Sequence, residues 1–309
     1  MRSASDSVPG FRKVLRSRKY QGWLWGYILI LPTVLGLGLF YLWPLVQSFY
    51  LAFTRWGAFG DYRWCGLQNF ERLVSDPKIV DALRNSLVFT GLTVPLSISL
   101  ATLIAVLLNA KIRGVSFYRV LYFLPVVTMP AAVGIVWRWL FNADYGAINY
   151  VLQKVFAIRG PSWLTDPKIA LYSLVAVAVW GAIGNNMIII LSGLQNIPTV
   201  YYEAADIDGA GVLTKFFRIT LPMLSPTLFF VSVTAIIGAL QMFELVYMMI
   251  GINSPAIRAT QTVVYLFYRE AFINMNKGYA SAIILVLFVI ILGLTFIQLR
   301  LQRRWVHYD

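Results

Sequence analysis

A polar segment between two very apolar stretches carries the residue types best suited to a specific protein contact. It contains three acidic residues, Glu203, Asp206 and Asp208, followed at once by Gly209-Ala210-Gly211. Pro198, just upstream, suits a first helical turn, and the glycines permit a sharp turn after a short helix. The sequence therefore predicts a small helix-turn-helix hairpin that stands outside the apolar stretches.

The side chains that catalysis would require are scarce. His307 is the only histidine and Cys65 the only cysteine, which excludes an H-E-x-x-H zinc site, a Ser-His nucleophile and an internal disulfide. No G-x-x-x-x-G-K-[ST] sequence is present to hold nucleotide phosphates. We therefore predict no catalytic residue, no metal site and no cofactor in this chain, which should not bind ATP itself.

Polar residues interrupt two apolar segments at a depth where lipid exposure would be costly: Asn185, Asn186, Gln241 and Glu244. A carboxylate at the centre of a bilayer costs roughly 2.5 kcal/mol or more on insertion scales, so these side chains should face protein or a water-filled cavity. Amides and nearby aromatic residues suit a sugar, whose hydroxyl groups need donors and acceptors. Small neighbours such as Gly181 and Gly238 also permit close helix packing, and that alternative stays open.

Composition places these residues in a membrane protein. Hydrophobic residues make up 59% of the 309 residues and charged residues only 13%, against about 25% in soluble domains. Six spans of about 20 residues with their loops fill this length and leave no room for a further catalytic domain of about 100 residues. The net charge of +13 comes from basic residues at the ends of apolar segments, which fits a membrane protein better than a nucleic-acid-binding one.

Six apolar segments are long enough to cross a bilayer, which predicts an all-α polytopic membrane protein with six transmembrane helices. The predicted spans are Trp23 to Tyr50, Leu83 to Leu108, Val120 to Phe141, Ile169 to Leu191, Met223 to Ile250 and Tyr279 to Leu299. Residues 1–22 would form a basic cytoplasmic tail, 23–81 the first helix with an outer loop, 82–300 the transmembrane core and 301–309 a cytoplasmic tail. The hairpin region, 198–222, lies inside that core.

The basic tail sets the predicted orientation. Lys and Arg are concentrated ahead of the first span and show a modest excess on the same side in the later loops. Because positive segments stay in the cytoplasm and the first helix usually sets topology, both termini and the hairpin are predicted to be cytoplasmic. The opposite loops, Trp56 to Arg84 and Asp144 to Lys168, would form a structured outer platform or tight interfacial connectors.

The hairpin segment also matches a family pattern. Glu203-Ala204-Ala205, three residues, Gly209, nine residues and Ile219-Thr220-Leu221-Pro222 together resemble the EAA loop of permeases in binding-protein-dependent ABC importers. Other stretches are similar to the carbohydrate branch of that family, which includes the maltose permease first subunit and the glycerol-3-phosphate permeases: Phe123-Leu124-Pro125, Phe243-Glu244-Leu245-Val246-Tyr247 and Gly278-Tyr279-Ala280-Ser281-Ala282. The resemblance covers nearly the whole chain after the basic tail.

This resemblance implies a type I ABC importer permease fold in the cell membrane of a bacterium or archaeon. The implied partners are a second permease subunit, a cytoplasmic ATPase dimer, an extracytoplasmic solute-binding protein, a sugar or polyol substrate and the lipid bilayer, with no nucleic acid. The EAA loop residues Glu203, Ala204, Ala205 and Gly209 would dock onto the ATPase and transmit its closure to the membrane helices. Taken with the polar residues above, the predicted substrate-pathway residues are Gly181, Asn185, Asn186, Gly238, Gln241, Met242 and Glu244.

Two other functional classes compete with this hypothesis. An ion-coupled secondary transporter would need broken helices in inverted repeats and buried ion-coordinating carboxylates. Only Glu244 fits that description, and the EAA loop would have no purpose. A membrane-embedded enzyme would need paired acids and bases or a metal site, which the sequence lacks. The leading hypothesis is therefore a non-enzymatic permease subunit of an ATP-driven importer for a sugar or sugar-like solute.

Overall fold

The computed structural model describes residues 18–56, 61–110 and 113–305. Its first span is one continuous helix, in which α1 (Arg18–Leu37) passes through a π-helical turn (Gly38–Leu42) into α2 (Trp43–Ala52). A short antiparallel hairpin follows, formed by β1 (Thr54–Trp56) and β2 (Tyr62–Trp64). Helix α3 (Gln68–Ser75) then leads into the long helix α4 (Pro77–Asn109). Of the two predicted tails, residues 1–17 and 306–309 lie outside the described part of the chain.

The middle of the chain contains two bent helix pairs. Helices α5 (Val115–Val127) and α6 (Pro130–Leu140) meet at 98°, and α7 (Ala147–Phe156) leads to the straight helix α8 (Ala170–Gln195). The EAA hairpin contains α9 (Thr199–Ile207) and α10 (Val212–Lys215), and a π-helical turn (Phe216–Thr220) joins α10 to α11 (Leu221–Met223). The segment Val212–Met223 and α12 (Ser225–Leu240) form the second bent pair, at 65°.

Three short helices precede the last span: α13 (Glu244–Met249), α14 (Ile257–Thr260) and α15 (Val263–Tyr268). A π-helical turn (Arg269–Ile273) follows, and α16 (Lys277–Trp305) ends the described chain. Within the described residues, four helices are long and apolar enough to cross a membrane alone, and six spans result if each bent pair counts as one. The predicted all-α membrane fold is confirmed, and the structure adds the small two-stranded hairpin to it.

The third predicted span, Val120 to Phe141, is not one helix, and a proline explains why. Met129 precedes Pro130 and takes extended backbone with ψ 124°, because the proline ring disfavours helical backbone in the residue before it. Pro130 then begins α6 in the first turn, where its missing N–H costs nothing. The result is a sharp corner where the sequence indicated a straight helix.

The fifth predicted span, Met223 to Ile250, is also interrupted. Its backbone bends at Leu224, between Pro222 and Pro226, since each proline removes a hydrogen-bond donor from the helix. The helix then ends at Leu240, so Glu244 begins the separate short helix α13. The predicted span from Met223 to Ile250 is therefore not one continuous helix.

Helix α4 is the central helix of the fold. The side chain of Asp76 caps its start by accepting the Lys78 N–H at 2.9 Å, which satisfies one free backbone donor. Its buried residues contribute to each of the three hydrophobic clusters of the described residues, and its most extensive helix contact is with α8. Side chains between α4 and α8 therefore lie at the centre of the bundle.

Candidate functional site

The EAA hairpin forms where the sequence places it, with a small shift at its start. Helix α9 is the predicted short helix and contains the Glu203-Ala204-Ala205 tripeptide. Pro198 is the N-cap residue, in extended backbone with ψ 134°, and therefore precedes the first helical turn instead of belonging to it. The expected helix-turn-helix geometry is otherwise confirmed.

A glycine closes the first helix of the hairpin. Gly209 has φ +71°, in the left-handed region that glycine adopts without the steric cost of a Cβ atom. The Ala210 N–H donates to the Ala205 carbonyl at 2.8 Å, and the Gly209 N–H donates to the Asp206 carbonyl at 3.1 Å. These two bonds form the Schellman motif that ends many helices, so Gly209 is required for the turn by its backbone conformation.

The hairpin tip exposes large apolar side chains. Ile207, Val212 and Leu213 are 88%, 84% and 74% exposed, while Glu203 and Ala204 on the same hairpin are also exposed and Ala205 is buried. Exposed apolar side chains grouped at the tip of a hairpin are typical of a protein contact surface. The tip and the exposed side of α9 can therefore receive a partner protein.

The base of the hairpin is attached to the membrane helices. The hydroxyl groups of Tyr202 and Thr220 are 3.0 Å apart, and Lys215 forms an ion pair with Asp206 across the hairpin. Tyr202 also packs against a hydrophobic cluster that includes Leu108 of α4 and Leu194 of α8. The hairpin thus contacts the ends of the two central helices.

A cavity of about 230 Å³ lies between α4, α8 and α12. Its lining residues are Phe89, Thr93, Val94, Ser97, Ala178, Ala182, Asn185, Asn186, Thr234, Ala235, Gly238, Ala239 and Met242. None of these residues carries a charge. The cavity combines hydroxyl and amide groups with apolar walls, the composition expected of a small-molecule site.

The structure brings together some of the predicted substrate-pathway residues. Asn185, Asn186, Gly238 and Met242 line the cavity. Gly181, Gln241 and Glu244 do not, although each lies near it in sequence. Gln241 and Glu244 are exposed, at the end of α12 and the start of α13, and Gly181 has open space where a Cβ atom would lie.

The two adjacent asparagines have different environments. Asn186 is 5% exposed, and its Nδ2 donates to Ser97 Oγ on α4 at 3.4 Å. Asn185 is exposed to the cavity and makes no side-chain hydrogen bond within the described part of the chain. Asn186 therefore joins two helices, whereas the Asn185 amide is available to a solute.

Close helix packing, the alternative explanation for the small residues, applies to a different glycine. A Cβ atom on Gly184 would clash with the backbone carbonyl of Tyr122 in α5. At Gly181 and Gly238 nothing lies within 4 Å of that position. Gly184 is therefore a packing residue of α8, as is Gly193, where a Cβ atom would meet Thr227.

Sequence reasoning missed the wall of the cavity that α4 provides. Thr93 and Ser97 belong to a row of hydroxyl residues, Ser86, Thr90, Thr93 and Ser97, that recurs every three or four positions in an apolar span. This spacing places them on one face of a helix. The row was a readable signal for a polar helix face pointing away from lipid.

The loop after α6, which the sequence predicts to be an outer loop, is held by a defined polar network. Asn149 of α7 donates to the Ala143 carbonyl at 2.9 Å and accepts the Trp163 indole N–H at 2.6 Å. A surface cavity of about 620 Å³ lies beside this network, and Arg138 and Asp144 are among its lining residues. The prediction of structured loops on this side is confirmed.

Comparison with known proteins places the chain in a family. It matches the model of the binding-protein-dependent transport system inner membrane component over residues 74–307. It is 35% identical over 286 residues to the sn-glycerol-3-phosphate transport system permease protein UgpA of Agrobacterium fabrum, covering 91% of this chain and 96% of that protein. It is 38% identical over 287 residues to the probable ABC transporter permease protein YesP of Bacillus subtilis, covering 92% of each.

Solved structures show the same fold. The crystal structure of a bacterial ABC transporter involved in the import of the acidic polysaccharide alginate matches with a TM-score of 0.83 at 21% identity, covering 96% of this chain and 99% of that one. A second crystal structure, of a bacterial alginate ABC transporter in complex with an alginate pentasaccharide-bound periplasmic protein, matches with a TM-score of 0.82 at 20% identity, over 96% and 98% of the two chains. With the family match over most of its length, the chain belongs to the inner membrane components of binding-protein-dependent transport systems.

Proposed function

We propose that this chain forms one half of the transmembrane pathway of an ATP-driven importer for a sugar or sugar-like solute. The main support is the position of the EAA hairpin in the chain. The hairpin follows α8 directly and leads through α11 into α12, and both α8 and α12 line the central cavity. A movement imposed on the hairpin therefore displaces two walls of the cavity together.

The lining of the cavity supports a hydroxyl-rich solute. Thr93, Ser97 and Thr234 offer hydroxyl groups, and Asn185 offers an amide that can both donate and accept. Two of the similar proteins are named for their solutes, sn-glycerol-3-phosphate and alginate, and each of these compounds carries more than one hydroxyl group. A sugar or polyol is the class that these polar groups fit.

The hairpin and the opposite end of the bundle fit two different partners. A cytoplasmic ATPase dimer would bind the exposed side of α9 and the apolar tip at Ile207, Val212 and Leu213, with Glu203 meeting a basic side chain of the ATPase. An extracytoplasmic binding protein would deliver solute at the outer loops around Asn149 and Trp163. A second permease subunit would complete the pathway, in which this chain supplies the walls along α4, α8 and α12.

Reconstitution of the complete importer tests this function. The complex, with its ATPase, second permease subunit and binding protein, is placed in liposomes, and uptake of labelled maltose and sn-glycerol 3-phosphate is measured with ATP or with an ion gradient alone. Glu203→Lys should abolish ATP-driven uptake without loss of assembled complex, since it reverses a charge at the proposed contact. Glu71→Lys, an exposed acid on α3, is the matched control and should leave uptake unchanged.

Uptake driven by an ion gradient without ATP would contradict this function and favour the secondary-transporter class. The orientation has its own test. A single cysteine at Ser7 in a Cys65→Ser background should be protected from an impermeant thiol reagent added outside, whereas one at Asp144 should be labelled. Labelling at Ser7 would reverse the proposed cytoplasmic location of the N-terminus.

A further inference from the structure

The wall of the cavity that α4 provides contains a hydroxyl group without a partner. Thr93 lines the cavity, is 6% exposed, and its Oγ1 is buried without a hydrogen bond within the described residues. Two hydroxyl groups further along α4 do have hydrogen-bond partners. Ser97 donates to the Val94 carbonyl at 3.1 Å, and Thr102 donates to the Ile98 carbonyl at 2.8 Å, as Ser and Thr usually do in helices.

An unmade hydrogen bond at a buried hydroxyl is destabilising, and such groups are uncommon in native proteins. Across the cavity, the Asn185 amide likewise has no side-chain partner in the described chain. The remaining amide of the lining, Asn186, already bonds to Ser97. Two polar side chains of the lining, one on α4 and one on α8, therefore have no side-chain partner within the described residues.

The electrostatics of the lining limit what that molecule can be. A phosphate or carboxylate group taken out of water needs paired cations or several strong donors. The described lining contains no Lys, Arg or His, and the acid nearest in sequence, Glu244, would repel an anion. This wall of the pathway fits an uncharged group that exchanges neutral hydrogen bonds.

We propose, building on the import function above, that Thr93 is a specificity-determining residue that binds a hydroxyl group on an uncharged part of the solute. Asn185 of α8 binds the same part of the solute. The Thr93 oxygen is covered in this conformation, so the contact forms when its side chain rotates or when α12 moves away during transport. The assignment adds α4 to the solute-contacting helices and separates this subunit from one built to hold a phosphate.

Two substitutions of Thr93 test the contact in the reconstituted importer. Thr93→Val keeps the shape and removes the hydroxyl group, while Thr93→Ser keeps the hydroxyl group. Uptake of the neutral probes maltose, trehalose and sorbitol is measured beside that of sn-glycerol 3-phosphate, per assembled complex. Thr93→Val should reduce neutral uptake about three- to ten-fold, the effect of one neutral hydrogen bond, and Thr93→Ser should restore it.

Thr90→Val is the matched control. Thr90 lies one turn earlier on the same helix, is also buried with an unpartnered Oγ1, and does not line the cavity, so its substitution should leave uptake unchanged. Equal losses at both positions would show a structural role, and unchanged uptake in Thr93→Val would overturn the contact. If the wild-type complex takes up sn-glycerol 3-phosphate but none of the neutral probes, the proposal of an uncharged group is wrong. The proposed importer function would remain intact.

Thiol labelling tests whether the cavity disfavours anions, and it does not require knowledge of the natural solute. Thr93→Cys is made in a Cys65→Ser complex and treated with neutral methyl methanethiosulfonate or with its anionic sulfonatoethyl analogue. The ratio of anionic to neutral reaction rates should be lower than for free cysteine in solution, because no cation lines the cavity. An equal or higher ratio would show a cationic site, and no reaction with the neutral reagent would show that position 93 does not face the pathway.

Discussion

The EAA hairpin and the central cavity both depart from the usual distribution of side chains, in which apolar groups are buried and polar groups are exposed. The hairpin exposes the apolar side chains of Ile207, Val212 and Leu213 at its tip. The cavity buries the polar side chains of Thr93 and Asn186 among the membrane helices. Neither arrangement is favoured by folding stability alone. Burying apolar surface lowers the free energy of the folded chain, whereas burying a polar group without a partner raises it. Both regions are therefore best understood as surfaces that a second molecule completes.

The two regions also differ in how they tolerate change. The hairpin depends on one backbone conformation at Gly209 and on its attachment through Tyr202 and Thr220. The cavity depends on the spacing of three helices that are far apart in sequence. We therefore expect substitutions in the hairpin to separate ATP hydrolysis from transport, and substitutions around the cavity to affect either assembly or solute selection.

The largest effect is expected at the hairpin turn. Gly209→Val places a β-branched residue at φ +71°, a strain of about 1–3 kcal/mol that should distort the tip and reduce ATP-driven uptake roughly ten-fold or more. Gly211→Val is the control, because Gly211 has φ −70° and open space around it. Equal uptake by the two variants would show that the turn geometry does not matter for coupling.

Next in size is a change in helix packing beside the cavity. Gly184→Ala forces a methyl group against the backbone of Tyr122, which should cost about 1–3 kcal/mol through overpacking. Complex yield and thermal stability in detergent should fall. Gly181→Ala lies on the same helix in open space and should leave both unchanged; a loss of stability at Gly181 instead would contradict the packing described for α8.

Substitutions of the two adjacent asparagines should have effects of intermediate size, on complex yield at Asn186 and on uptake at Asn185. Asn186→Leu removes the hydrogen bond to Ser97 and should lower complex yield about two- to five-fold, in keeping with the loss of one buried hydrogen bond. Asn185→Leu should leave the yield unchanged and reduce uptake of neutral sugars per complex. If Asn185→Leu lowered yield while uptake per complex stayed normal, Asn185 would belong to the packing of the bundle and not to the solute pathway.

The smallest effect is expected from the ion pair across the hairpin. Asp206 is 66% exposed and its partner Lys215 is 19% exposed, so water screens much of the attraction, and surface pairs contribute about 0–1 kcal/mol. Lys215→Met should lower uptake less than about two-fold. A loss as large as that of Gly209→Val would mean that the ion pair, and not the backbone turn, fixes the hairpin.

The hairpin was predictable from sequence because its determinants are local. Its acidic helix, its glycine turn and its position between apolar stretches lie within a few tens of residues, and Gly209 falls where the structure needs a left-handed residue. The exposed apolar tip was less readable. Ile207 and Val212 look like ordinary helix residues until the fold shows that nothing in the described chain covers them.

The cavity was predictable only in part because it is assembled from distant segments. Polar residues in apolar spans identified Asn185 and Asn186, but no local rule says that α4 faces them. Gln241 and Glu244 were expected in the same pathway because the fifth span was taken as one helix. Pro222 and Pro226 were visible in the sequence, yet only the packed structure sets where the helix bends and ends.

The contact between the first and last spans fixes the order in which the fold can be completed. Phe49 of α2 meets Phe288 of α16 edge to face at 6.0 Å, and Gly278 lies against the Thr54 carbonyl, while the most apolar stretch of the first span has no buried residue. The ribosome makes α16 after every other helix described here. The first span can therefore contact early partners only near its end, where Asn69 donates to the Ala52 carbonyl, and it gains its contact with α16 when synthesis is nearly finished.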